Sequence, residues 1–271
     1  MLQDRGIRAE ILHSPTGEPP SAFMSLLSAA AHRSIVRITG GCADMADSDS
    51  LPLQELFREA FRGFKGAILI GGTRMISLED PPQLIPGITE VGPLIRQDNP
   101  DSVLLGVVPR AESVSWNFAT GHLVIERSQL SDPSDQNSGH MQTIVQPHLD
   151  AVVMLGKRIT KQSIWHDEAV FCARVTETQR LYAKWNSALV VYNGGGTTEY
   201  EARLAADQHW PVILVRGSGR TADKLASDGE FMRQYASSTI VCDLDASSLQ
   251  DALVECGITE PPPRARLRSV S

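Results

Sequence analysis

Four glycine-rich stretches stand directly after short apolar runs, and they are the part of this chain best suited to chemistry. They are Gly40-Gly41 after Ile35 to Thr39, Gly71-Gly72-Thr73-Arg74 after Ala67 to Ile70, Asn193-Gly194-Gly195-Gly196-Thr197-Thr198 after Ala188 to Tyr192, and Gly217-Ser218-Gly219-Arg220 after Val212 to Arg216. A residue without a side chain lets the backbone turn sharply and approach a ligand closely, and the N–H groups that open a following helix favour an anion. Phosphate is the anion such a cradle suits. Arg74 and Arg220 adjoin two of the clusters, and a guanidinium grips phosphate with paired hydrogen bonds. Taken singly, each glycine cluster also reads as a tight strand-to-helix turn and each arginine as a surface charge.

The third cluster runs into Glu199-Tyr200-Glu201-Ala202-Arg203-Leu204-Ala205, a good helix sequence, so Thr197 or Thr198 is placed to cap that helix or to bond a phosphate. Glu199 is the candidate general acid or acceptor for a ribose hydroxyl, and it equally complements the helix dipole. In the fourth cluster, Gly217-Ser218-Gly219-Arg220-Thr221-Ala222 fits G-x-G-x-x-A between strand and helix, with Asp243 closing the next strand as a dinucleotide fingerprint requires. Such a fingerprint belongs at the first strand of its fold, whereas this one falls near the sixth or seventh. A dehydrogenase is therefore disfavoured, and Gly217, Ser218, Gly219 and Arg220 are kept as phosphate contacts. No Walker A sequence is present.

The elements that position these turns follow from periodicity. Seven apolar runs, Ser34 to Thr39, Gly66 to Ile70, Ser102 to Val108, Asp150 to Leu155, Ser187 to Tyr192, Pro211 to Val215 and Thr239 to Leu244, have the near-continuous character of strands covered on both faces. Leu53, Leu56, Phe57, Ala60, Phe61 and Phe64 share one side of a helix, as do Phe171, Val175, Thr178, Tyr182 and Trp185. Leu249, Ala252, Leu253 and Cys256 form a third such stripe, ended by Gly257. The alternation predicts a parallel α/β sheet, and in such a sheet ligands bind at the carboxyl ends of the strands. Residues 74 to 101, with four prolines, and the polar residues 111 to 149, richest in Ser, Asp and Gln from Ser131 to Gly139, are expected as long loops that cover the site. One domain over residues 1–260 and a flexible Pro/Arg-rich tail over 261–271, with Arg264, Arg266 and Arg268, complete the layout.

Composition excludes several classes. With 271 residues, 42% of them hydrophobic, the chain can bury one large core. Its formal net charge of −7 gives no field for holding nucleic acid. No apolar run approaches the length of a membrane span, and the N-terminal residues lack the order of a secretion signal, so a soluble, cytoplasmic protein is expected. The cysteines, Cys42, Cys172, Cys242 and Cys256, lie far apart and read as reduced thiols. His148 with Asp150, and His166 with Asp167 and Glu168, lack converging further ligands, so no metal is assigned. Arg110 follows another strand at the same edge. Trp116 and Asn117 either stack on a base or pack on the core. A homo-oligomer is compatible with the layout, and no feature demands one.

Thr39-Gly40-Gly41, Gly71-Gly72-Thr73, Gly194-Gly195-Gly196-Thr197 and above all Gly217-Ser218-Gly219-Arg220-Thr221-Ala222-Asp223 resemble the SLOG superfamily, in its prokaryotic LSDAT branch, which is similar to the N-terminal domain of TRPM channels. The resemblance runs from about Ser34 to Ala226. It implies a Rossmann-like parallel sheet of about seven strands flanked by helices on both faces, recognising ADP-ribose, an NAD derivative or a nucleoside phosphate, with no other cofactor. More distantly, the chain resembles LOG-type phosphoribohydrolases, which cut a base–ribose bond with an Arg and with a Glu from Pro-Gly-Gly-x-Gly-Thr-x-x-Glu. Here Asn193 replaces that proline, and Glu199 and Glu201 fall two and four positions after Thr197 rather than three. Two functions follow: a binder or sensor of a nucleotide-derived ligand, or an N-glycosidase with Glu199 assisting departure of the base and Arg74 holding the substrate.

Overall fold

The computed structural model describes residues 9–41, 47–85, 87–111, 113–117, 120–126, 141–156 and 159–261. All seven apolar runs become strands of one parallel sheet: β2 (Ser34–Gly40), β3 (Ala67–Gly71), β6 (Val103–Val108), β10 (Ala151–Leu155), β11 (Asn186–Tyr192), β12 (Val212–Arg216) and β13 (Thr239–Asp243). An eighth strand, β1 (Glu10–Ser14), extends the edge, giving the order β1-β10-β6-β3-β2-β11-β12-β13. Every pairing in this sheet is parallel.

Alternate side chains of the central strands feed two separate layers, which is why their sequences are apolar throughout. Val36, Ile38, Ile68 and Ile70 pack with Phe57 and Phe61 of α2 (Asp47–Ala60), Val91 and Ile95 of α3 (Val91–Asp98), and Leu249 and Leu253 of α8 (Ala246–Glu255). On the opposite face, Ile35 and Leu69 meet α1 (Ser21–Ser28) and α4 (Ile164–Tyr182). There Leu189, Val191 and Leu214 meet α5 (Gly196–Asp207), α6 (Arg220–Ser227) and α7 (Gly229–Gln234). Each fully buried aromatic contributes about 1.5–3 kcal/mol relative to an exposed one.

Of the predicted stripe, Phe171, Val175 and Trp185 are buried, Trp185 beyond the last residue of α4, and the two positions between them are not. Thr178 faces solvent and Tyr182 is 83% exposed, while Cys172, Thr176 and Gln179 are buried. The helix presents its 172/175/176/179 side to the sheet, one position away from the stripe drawn through the aromatic rings.

The described parts of the two proline-rich and polar stretches are not long loops. They supply β4 (Thr73–Ser77), β5 (Gln83–Ile85), β7 (Ser113–Asn117), β8 (His122–Glu126) and β9 (Met141–Val145), a second, antiparallel sheet in the order β5-β4-β9-β8-β7. Ile76, Val124 and Ile144 form its small buried centre. Trp116 is paired with Leu123 and is 43% exposed on the edge strand. Cys42, Ser131 to Gly139 and the tail from Pro262 lie outside the described residues. No helix among the described residues is long and apolar enough to cross a membrane.

Candidate functional site

β2 and β11 lie side by side, Ser34 opposite Asn186 through Gly40 opposite Tyr192. The chain leaves β2 toward β3 on one flank and leaves β11 toward β12 on the other. A crevice opens where such connections part, outside the carboxyl ends of the strands. Because all eight strands are parallel, Gly72, Gly195 and Gly219 follow strand ends at one rim.

The turn between β11 and α5 is built on Asn193 and Gly194, at φ +52° and +94°. A Cβ on Gly194 would lie 2.4 Å from Thr198 Oγ1, so glycine is required both by conformation and by space. The helix starts earlier than the threonines predict: Gly195 is its N-cap and offers no side-chain acceptor, while Thr197 and Thr198 are already helical. The first bond in the helix is Glu199 N to Gly195 O, 3.0 Å. Among the described residues, the amides of Gly194, Gly195, Gly196, Thr197 and Thr198 donate no hydrogen bond. Helix starts leave such donors open, and the helix dipole adds positive potential to them.

The next turn, between β12 and α6, uses its glycines otherwise. Gly217 (φ +91°) and Gly219 (φ +100°) donate to the two carboxylate oxygens of Asp223, at 2.6 and 3.1 Å. Ser218 Oγ accepts from Asn193 N at 2.8 Å and donates to Val215 O at 2.6 Å. Thr221 N and Ala222 N donate to Gly194 O and Asn193 O, and Thr221 Oγ1 donates to Gly195 O. Most of the Gly-Ser-Gly-Arg-Thr-Ala-Asp run therefore serves to shape this turn and to stitch it to its neighbour. Arg220 reaches across instead: its guanidinium lies 3.1 Å from where a Gly195 Cβ would be.

Gly41 faces the same place, with Gly194 N and the Asn193 amide at 3.7 and 3.8 Å from a Cβ there. Gly40 packs against Tyr192 O and Ile88. Gly71, Gly72, Thr73 and Arg74 lead into β4 rather than into a helix. Gly72 N donates to Val107 O at 2.7 Å, and a Cβ on it would strike Val108 and Val152. Arg74 is ion-paired with Glu90; burial works against its charge, which Glu90 supports, and burial in turn pushes the Glu90 carboxyl up.

Glu199 lies on the outer side of α5, where Lys224 (2.7 Å) and Arg203 (3.1 Å) hold it. The Lys224 hydrogen bond, followed by that from Arg203, keeps its carboxyl below the usual range against partial burial. Asp167, fully buried, accepts from Arg110 Nε at 2.6 Å, and His166 stacks on Tyr200 with ring centroids 4.0 Å apart. Asp150 accepts from Leu104 N and from Arg96.

Sequence reasoning passed over one group. Arg37, inside β2 and 4% exposed, donates to Glu201 of α5 and Glu168 of α4, both at 2.6 Å. Desolvation opposes its charge, and Glu201 leads the neighbouring groups that outweigh it, so the guanidinium is held firmly protonated. The signal was a lone arginine in Ile35-Val36-Arg37-Ile38, since a charge buried on both faces demands partners. Counted from Thr198 instead of Thr197, Glu201 also falls at the three-residue spacing of the hydrolase motif.

The fold is thus an open, doubly wound α/β sheet with an anion-suited turn at its switch point. Residues 123–254 match the family model described as SLOG in TRPM, prokaryote. Similarity to the prokaryotic LSDAT branch of the SLOG superfamily is thereby shown over a stretch that holds both turns at Asn193 to Thr198 and Gly217 to Arg220, and omits Gly40, Gly41 and Gly71 to Arg74. No curated protein matches the chain. Among solved structures, the molybdenum cofactor carrier protein of Chlamydomonas reinhardtii is similar at 16% identity and TM-score 0.48, over 84% of this chain and 100% of its own. A molybdenum cofactor binding protein from the phototrophic bacterium Rippkaea orientalis is similar at 14% identity and TM-score 0.48, over 84% and 99%.

Proposed function

We propose that this protein binds a nucleotide-derived ligand, such as ADP-ribose, an NAD derivative or a nucleoside phosphate, with a phosphate seated on the start of α5. The run of unbonded amides from Gly194 to Thr198 at the switch point carries this reading. Two neighbours support it. Arg220 lies over the same turn, and the buried Asn193 Oδ1 has no partner among the described residues, leaving an acceptor beside the cradle for a ligand donor.

The test is thermal stability with AMP, NAD and ADP-ribose, compared between the wild type and Gly196→Pro. Gly196 is the first helical residue, where proline is well tolerated, and a side chain there meets nothing within 4 Å. The variant is expected to keep the unliganded melting temperature while losing the ligand-induced rise, because one donor is gone and the ring fills the cradle. A full ligand response in Gly196→Pro refutes the assignment.

Cleavage of a base–ribose bond is the second reading, favoured by the spacing and burial of Glu201. Glu199 suits it poorly, because it lies on the outer side of α5, where Lys224 and Arg203 occupy its carboxylate. Released base from AMP or NAD, abolished by Glu201→Gln and preserved in Glu199→Gln, would establish it.

A further inference from the structure

On the sheet face opposite α5, between α2 and the start of α8, lies a cleft of ≈ 360 Å³. Leu53, Leu56, Tyr192 and Leu244 give it an apolar lining, and Glu55, Glu59 and Asp245 give it an acidic one. Among the described residues, no lysine or arginine lines it. Leu244, between β13 and α8, is 44% exposed.

The cleft adjoins the turns described above. Tyr192 is the residue before Asn193, so the cleft lining runs directly into the amide-bearing loop. Leu244 Cβ lies 3.4 Å from where a Cβ on Gly217 would be, so the β12–α6 turn borders it as well. The two places have opposite electrical character. Open amides and Arg220 favour an anion at α5, whereas Glu55 and Asp245 disfavour one in the cleft, where Glu59 is ion-paired with Arg62.

A ligand that satisfies both must be negative at one end and carry an apolar ring with N–H donors, or a positive ring, at the other. We propose that this cleft is the base subsite of the nucleotide whose phosphate rests on α5, and that it takes an amine-bearing or cationic nitrogenous ring. The proposal rests on the phosphate reading given above. Leu53, Leu56 and Leu244 supply the apolar surface, Tyr192 an aromatic edge, and the Glu55 carboxylate the acceptor. Asp245 already accepts from Ser248 N and Ser248 Oγ, and Glu59 from Arg62, which leaves Glu55 as the freer carboxylate.

The experiment measures affinities of the full chain for AMP and for ribose 5-phosphate, two probes that share the sugar phosphate and differ in the base. AMP is expected to bind roughly tenfold more tightly, the scale of one well-seated base. Leu244→Arg places a long cation in the cleft at an exposed position; it should bring AMP down to the level of ribose 5-phosphate and leave ribose 5-phosphate itself unchanged. Glu55→Gln, on the exposed rim, should weaken AMP in the same direction by a smaller factor. An AMP preference that survives Leu244→Arg overturns the proposal. So do equal affinities in the wild type, which would leave the cleft to a second copy of the chain or another protein. If AMP binding falls in Gly196→Pro but not in Leu244→Arg, the phosphate reading stands and the base subsite is wrong. Binding of neither probe removes both.

Discussion

Two glycine turns stand next to each other at the carboxyl rim and use their glycines for opposite purposes. In the β12–α6 turn, positive φ values at Gly217 and Gly219 aim the amides inward onto Asp223, and the start of α6 donates to the neighbouring loop. In the β11–α5 turn, the glycines keep side chains away from a helix start whose amides are left open. Support for that second turn comes from beneath, through Glu201 on Arg37, and from the side, through α6. A fingerprint of glycines is therefore no guide by itself to where an anion sits; the destination of each N–H is.

The contrast can be broken at its base. Arg37→Leu removes the anchor under α5 and leaves Glu168 and Glu201 together in a dry interior, so unfolding in urea should show a loss of about 3–5 kcal/mol. A loss below about 1 kcal/mol would mean that the ion group is hydrated and contributes little to holding α5. Gly194→Ala comes next. Its positive φ and the approach to Thr198 Oγ1 should cost about 2–3 kcal/mol and abolish ligand-induced stabilisation.

Asp223→Ala sharpens the comparison from the other turn. It frees the amides of Gly217 and Gly219 and is expected to lower stability by about 1–2 kcal/mol, like the loss of a helix cap, with ligand affinity falling less than in Gly196→Pro. An equal loss of affinity would show that the two turns hold the ligand jointly.

The smallest effect is at Glu199. Its folded pKa lies below the unfolded value, so its ion pairs contribute above the ordinary carboxylate range and fade as pH falls through the depressed value. Glu199→Gln should alter stability by less than about 1 kcal/mol at neutral pH and slightly flatten the decline on the acid side. A larger change would place Glu199 in the site rather than on its outer surface.

The central strands and their turns were readable because runs such as Ala188 to Tyr192 are apolar on both faces and end in glycine, a pattern that few other structures produce. β1 was not: Glu10-Ile11-Leu12-His13-Ser14 is mixed, as befits an edge strand with one neighbour. The second sheet escaped because its strands are short and half-buried, and because one of its pairings, Arg74 with Ile144, joins distant segments. At the site, the positions of Gly194 to Thr198 were legible from spacing, but the role of Asp223 was not. Sequence shows which residues lack side chains and does not show which carboxylate takes up the amides they expose.

The adjacency of β2 and β11 also bears on how the molecule comes into being. Ser34 meets Asn186, so the crevice has no wall on one side until most of the polypeptide has been synthesised. Closing so long a stretch is slow compared with local helix formation, which puts the assembly of this cleavage line in the sheet late on the folding route. A fragment ending before residue 186 can form helices and several strands, yet it holds no half-made version of the crevice to be rescued by ligand.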